Sequence, residues 1–352
     1  MFSLPTRPPQ SLTGMRSISP RRRPDEYARL WRVLDALHVH LSESRTVTQR
    51  GLYYLLSSSD KDLFPNPGVV NTCLRECVGL LRCSRHAMGI TTSSRGQVAG
   101  RLHVRGPDGV WKDCAAPGGG YYVIPGDVGI LRRVELRCDA RYVIIVEKDS
   151  VFDKLVRERV FDRLPCVIVT AKGFPDLATR AFLRRIQDSF PVLPILAFVD
   201  WNPSGILILQ TYRSTSRSAA LEASRYALDV KWLGIRSGDL GELSSASRLP
   251  LTDLDRAKIR NLLLAAGVSA DDIERGGGGG GSSGSFQTTF DLGEGDLGES
   301  ERRRRVLISE LRDMLNSGTK AEIESLYPVA AERGEFFLAE FIIEKILRAD
   351  YV

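Results

Sequence analysis

The chain has 352 residues, 43% of them hydrophobic and 26% charged, with a formal net charge of +6. That length suits roughly two or three domains with a sizeable buried core, and the composition excludes wholesale disorder and fibrous architectures. No apolar run approaches the roughly 20 residues of a membrane span and no apolar signal segment opens the sequence, so its six cysteines read as free thiols of a soluble intracellular protein with no membrane partner.

Residues 1–24 hold five prolines together with Arg7, Arg16, Arg21, Arg22 and Arg23. They predict a disordered basic tail, open to use as an arm on a nucleic-acid backbone. From Pro24 the stripe Leu30, Leu34, Leu37 and Leu41 predicts a helix. A second helix starts near Thr46, with Thr46 or Thr48 as cap, and runs through Leu56. A third carries Val69, Val70, Leu74, Cys77, Leu80 and Leu81. Short β-like pieces follow at 89–92, 97–104 and around Trp111, with turns at Arg95-Gly96 and Pro107-Asp108-Gly109. Three short helices and a hairpin predict a winged helix-turn-helix over 25–125, a module that sits on duplex DNA.

Beyond about residue 125 the pattern changes. Runs at 142–146, 166–169, 196–199 and 206–209 are apolar without alternation, as in strands covered on both faces, and helical stretches at 151–161 and 177–189 lie among them. They predict a second, α/β domain with a mostly parallel sheet over 126–352. A low-complexity insertion at 275–300, with six consecutive glycines, reads as a flexible loop. Glu301 to Arg305 opens a last helical region reaching Leu347, its arginines read as a solvated face.

Two carboxylates stand out by position. Glu147 follows the first apolar run of the second domain and Asp200 follows the third. Acids leaving the carboxyl ends of parallel strands can converge on one hard cation, and a small carboxylate cluster beside phosphate suits Mg²⁺. On the second helix Arg50 and Tyr54 lie four residues apart, so guanidinium and phenol share a face. A phenol becomes a useful nucleophile only beside a cation or a metal-activated electrophile. Paired tyrosines such as Tyr53 and Tyr54 are also ordinary packing residues. Neither the histidines nor Cys73 and Cys77 have zinc spacing.

Several segments occur in a telling order: Thr48-Gln49-Arg50-Gly51-Leu52-Tyr53-Tyr54, then Ser94 to Gly100, Val146-Glu147-Lys148-Asp149, Ala171 to Arg180, Val199-Asp200-Trp201-Asn202-Pro203-Ser204-Gly205, Lys231 to Gly234, Pro250-Leu251-Thr252 and Lys320 to Ile323. Together they resemble the meiotic double-strand-break transesterase family, related to the A subunit of archaeal topoisomerase VI. The resemblance implies a Toprim fold for the α/β domain and a catabolite-activator-like winged helix bearing the nucleophile. It implies that Tyr54 attacks a DNA phosphodiester to give a 5′-phosphotyrosyl bond and a free 3′-hydroxyl, with Arg50 at the scissile phosphate. Glu147 and Asp200 would hold Mg²⁺, with Asn202 as a neutral oxygen ligand, and Arg95, Lys172 and Arg180 are candidate DNA contacts. In the family the tyrosine of one protomer works with the metal site of the other. The implied assembly is therefore a homodimer, or a heterotetramer with a topoisomerase VI B-like subunit that carries the ATPase, joined by meiotic accessory proteins on nuclear, meiotic chromosomes. The segment 214–223 looks like the eukaryotic form.

Two departures qualify the match. Gly51 stands where the family has Asp. Asn202 stands where the second acidic motif has its second Asp, which removes one charge and weakens a second metal position; the other use of Asn202 is to cap the turn into Pro203-Ser204-Gly205. Two further readings are a non-cleaving DNA-binding paralogue and the A subunit of a type IIB topoisomerase. A Toprim nuclease or primase has no need of a helix bearing Arg-x-x-x-Tyr.

Overall fold

Two separate hydrophobic cores organise the chain, one from Leu30 to Ile90 and one beginning at Val98. The computed structural model describes residues 24–91, 93–116, 120–213, 226–242, 247–275, 298–327 and 337–352. The predicted basic tail up to residue 23, the bulk of the low-complexity insertion and the 214–223 segment lie outside the described residues.

The first core is built by α1 (Pro24–Ser42), α2 (Gln49–Ser59) and α3 (Pro67–Leu81). α1 buries Leu30, Val33 and Leu37, whereas Leu41, at the end of the predicted stripe, is exposed. Thr48 caps α2, its hydroxyl accepting the Gly51 N–H at 3.0 Å, and Asn66 caps α3 ahead of Pro67. A short parallel pair, β1 (Val47–Thr48) with β2 (Ile90–Thr91), ties the start of α2 to the end of this unit.

The second core surrounds a six-stranded sheet. Its strands, and those of a smaller sheet beside it, are β3 (Gln97–Gly100), β4 (Leu102–Arg105), β5 (Trp111–Asp113), β6 (Tyr122–Val123), β7 (Glu135–Cys138), β8 (Tyr142–Val146), β9 (Cys166–Thr170), β10 (Ile195–Phe198) and β11 (Val230–Gly234). The large sheet has the order β11-β10-β8-β9-β3-β6; the first four strands are parallel, and β3 and β6 complete it antiparallel. The small sheet, β5-β4-β7, is antiparallel throughout. Among the helices packed on this region are α4 (Val128–Arg133), α5 (Asp149–Arg157), α6 (Val160–Arg163), α7 (Leu177–Ser189) and α8 (Pro203–Arg213).

The fold departs from the sequence expectation at two places. Residues 97–123, expected with the helices as a wing, pair into the sheets of the α/β region, so the cores divide between Ile90 and Val98 and not near 125. All four β3 residues are buried, and Gly100, at φ +99°, lies so close to β9 that an added Cβ would fall 2.4 Å from the Cys166 carbonyl oxygen. The run 206–209, expected as a strand, is the middle of α8. Pro203 opens this helix and the Asn202 side-chain oxygen accepts the Gly205 N–H at 2.8 Å, a start signal that outweighs four apolar residues with no period of their own. The fourth parallel strand is β11 instead.

Further helices lie beyond β11, among them the short Ala270–Arg275. Asp253–Ala265 begins with a capping box between Thr252 and Asp255. Glu299–Ser317 and Phe337–Leu347 follow. In the Arg302–Arg305 run, Arg303 is bound to Asp229 and Glu299 while Arg304 and Arg305 pair with Glu301. Among the described residues no helix is long and apolar enough to cross a membrane.

Candidate active site

β8 and β10 are neighbours with Val146 opposite Phe198, so the residues that leave their carboxyl ends enter the same space. The Glu147 N–H donates to the Phe198 carbonyl at 3.2 Å, and the Asp200 N–H donates to Glu147 Oε2 at 2.9 Å. Asp200 Oδ1 accepts the Ile323 N–H at 2.9 Å; Oδ2 faces Lys148 Nζ at 3.1 Å and Asn202 Nδ2 at 3.2 Å. Both acids are buried. Burial, and then the charge of Asp200, pushes the Glu147 carboxyl up to about 7, and burial raises Asp200 as well. Two hard oxygen donors that each disfavour the other's charge suit a divalent cation, which would relieve both penalties. Among the described residues no group of three or more His, Cys, Asp or Glu is arranged to hold a metal ion. A cation held by these two carboxylates would keep water or phosphate among its other ligands, the habit of Mg²⁺. α8 starts directly on this site, since a Cβ at Gly205 would lie 2.3 Å from the Asp200 carbonyl oxygen.

The structure sorts the remaining sequence candidates. Asn202 turns its amide nitrogen toward Asp200 and its oxygen to the Gly205 N–H, so the oxygen expected as a neutral metal ligand is the helix cap. Lys172 lies beside the acids: its ammonium is 2.8 Å from Asp149 Oδ2, and the next residue, Gly173, donates its N–H to the Glu147 carbonyl at 2.9 Å. Arg180, a candidate DNA contact, is buried on α7 and reaches the Tyr226 carbonyl at 3.3 Å. Burial also lowers its pKa, and a guanidinium so enclosed cannot meet a phosphate without unpacking the helix. Arg95 is exposed just before β3.

Tyr54 is 61% exposed on α2, while Tyr53 packs on the helical core with its ring 5.4 Å from that of Tyr54. Arg50 is exposed one turn before Tyr54. Among the described residues no hydrogen bond or ion pair joins Arg50 or Tyr54 to the acid pair, which belongs to the other core.

The two cores also separate in comparison with known proteins. Residues 25–90 match the type IIB DNA topoisomerase family, and residues 142–274 match the Toprim domain shared by Spo11 and the topoisomerase 6 A subunit. The chain is 39% identical over 326 residues to meiotic recombination protein SPO11-2 of Arabidopsis thaliana, spanning 93% of this chain and 75% of that protein. The chain belongs to the family of Spo11 and the topoisomerase 6 A subunit. Human meiotic recombination protein SPO11 is 31% identical over 253 residues, 71% of this chain and 62% of its own length. The A subunit of DNA topoisomerase 6 from Arabidopsis thaliana is 35% identical over 227 residues, 64% of this chain and 51% of its own.

Sequence reasoning overlooked part of what surrounds the acids in this Spo11-family chain. Lys148 contacts Asp200, Glu322 and Glu324, and the Ile323 N–H between those two glutamates holds Asp200. Glu310, buried on the helix that carries the arginine run, accepts the Trp201 indole N–H at 2.7 Å and the Ser237 N–H at 2.7 Å. The segment from Lys320 to Ile323 is visible as a family motif. Its charges give no sign of a partner more than a hundred residues away.

Proposed function

We propose that this chain is a DNA-cleaving transesterase, like a type IIB topoisomerase, that makes the double-strand breaks initiating meiotic recombination, with Tyr54 as nucleophile. The observation that carries the reading is the pairing of an exposed phenol and a guanidinium on one unit with an in-register acid pair on the other. The Tyr54 oxygen attacks phosphorus, a new P–O bond forms to the 5′ side, and the bond to the 3′ oxygen breaks. The phenolic proton passes to solvent, and the leaving oxygen takes up a proton to become the 3′-hydroxyl. One phosphodiester replaces another, so the step itself consumes no ATP; nucleotide hydrolysis falls to a B-type partner subunit.

Arg50, one turn from Tyr54, binds the scissile phosphate and favours the ionised phenol. Glu147 and Asp200 would hold Mg²⁺, which Toprim enzymes of this family generally use and which supplies charge neutralisation at the phosphate and the departing oxygen. Lys172, fixed by Asp149, and the exposed Arg95 contact the DNA backbone. α1–α3 act as the helical DNA-binding unit that presents α2, and the α/β region is the metal-bearing unit. As the family resemblance implies, Tyr54 of one protomer meets the acid pair of another across duplex DNA, in a dimer working with a B-type subunit on nuclear, meiotic chromosomes.

The non-cleaving alternative has Asn202 in its favour, but Tyr54, Arg50, Glu147 and Asp200 are all present. Cleavage of duplex DNA by the chain with its B-type partner tests the reading. The expected ends carry protein on the 5′ side and a 3′-hydroxyl that a polymerase extends, and they require Mg²⁺ together with Glu147 and Asp200. Duplex binding without cleavage, indifferent to chelator and to Glu147→Ala or Asp200→Ala, would establish the non-cleaving module instead.

A further inference from the structure

A single ammonium group sits among three carboxylates at the edge of the acid pair. Lys148 Nζ is 3.1 Å from Asp200 Oδ2 and 3.0 Å from Glu322 Oε2, and it is also bonded to Glu324 Oε2. Its side chain is 23% exposed, and the two glutamates are the more open partners at 44% and 35%. Backbone contacts fix this arrangement without the lysine. The Ile323 N–H holds Asp200 Oδ1, and the Ala321 N–H holds the Trp201 carbonyl at 3.0 Å, so Glu322 and Glu324 are placed beside Lys148 whether or not it binds them.

We propose that Lys148 is an internal counter-ion for the acid pair, which leaves Asp200 when Mg²⁺ binds and is retained by Glu322 and Glu324, so that this trio sets the affinity for the metal. The proposal rests on the reading that Glu147 and Asp200 hold Mg²⁺. A cation approaching Asp200 Oδ2 meets an ammonium already there, and two like charges cannot share one oxygen without a large Coulomb penalty. The glutamates remove the obstacle. Lys148 keeps two of its three partners as it moves, and no buried charge is left unpaired. Lys148 is a positioning residue in this scheme; it touches neither DNA nor the reacting atoms.

Mg²⁺ titration calorimetry on the full chain, without DNA, tests the proposal. Lys148→Met should bind Mg²⁺ about five- to tenfold more tightly, the worth of one partly buried ion pair. The pair Glu322→Gln/Glu324→Gln should weaken binding, because Lys148 then has only Asp200. In a Lys148→Met background the same two substitutions should change affinity by less than about twofold. A loss as large as in the wild-type background would show the glutamates acting by bulk charge alone and overturn the proposal, as would unchanged or weaker binding by Lys148→Met. Wild-type crystals soaked in Mg²⁺ read the same event without substitution: Nζ should have left Asp200 and stayed on Glu322 or Glu324, and an ammonium still on Asp200 beside a bound ion overturns it. Asp200→Asn separates the two readings, since wild-type Mg²⁺ affinity in that variant would remove the metal site itself.

Discussion

Tyr53 and Tyr54 are chemically identical neighbours, and burial separates what each can do. Tyr53 packs on the helical core, so Tyr53→Phe should be mild in every assay, and Tyr53→Ala should cost about 1–3 kcal/mol in denaturant unfolding. Tyr54 is open to solvent, so Tyr54→Phe should leave stability within about 0.5 kcal/mol while eliminating the protein–DNA adduct. Asn202 separates capping from charge in the same way. Asn202→Ala loses the acceptor for the Gly205 N–H and should cost about 1 kcal/mol. Asn202→Asp keeps an acceptor but turns a carboxylate toward Asp200, so it should melt lower than wild type in chelator and gain more on Mg²⁺ addition. Equal gains in both proteins would contradict the electrostatic account. The acid pair also links to pH. Burial raises the Glu147 carboxyl to about 7 in the folded protein, well above its range in the unfolded chain, so its ionisation opposes folding, and metal-free stability falls as pH rises through that window. Mg²⁺ takes the ionised form, so the Mg²⁺-induced rise in Tm should be larger at about pH 8 than at about pH 6.

At the scale of elements, the sequence was legible where a period or a cap was present. The stripe of α1, the Thr48 cap of α2 and the unbroken runs of β8, β9 and β10 each pointed to the element that forms. The acid pair was legible for the same reason, because strand-end position is a local property. Placement that depends on distant partners was not legible: the strand at 97–100 was expected, but not its pairing with β9, some seventy residues later. Ile206 to Leu209 were misread for a local reason, since the Asn202 cap and Pro203 start a helix that their own unpatterned composition does not announce. Arg180 looked like a basic contact because sequence does not reveal burial. Gly205 gives this scale its prediction. With a Cβ placed 2.3 Å from the Asp200 carbonyl oxygen, Gly205→Ala should destabilise by about 1–3 kcal/mol and weaken Mg²⁺ binding together, because the same displacement moves Asp200. Thermal unfolding and calorimetry on one preparation check both, and a Gly205→Ala protein with wild-type values in each would show that α8 does not position the acid.

At the scale of the whole molecule, the two cores place phenol and acids on different units, and the proposed dimer shares each site between its protomers. Mixing Tyr54→Phe chains with Asp200→Ala chains should therefore restore cutting of one strand, since one of the two shared sites in the mixed dimer is intact. A site completed within each chain leaves both protomers dead, and no nicks form. The central claim is the identity of the nucleophile, and the most direct measurement is mass spectrometry of the covalent adduct after nuclease and protease digestion. A nucleotide should remain attached through a 5′-phosphate to the peptide containing Tyr54, at Tyr54 itself. Attachment at Tyr53, or at a residue outside α2, would contradict the account.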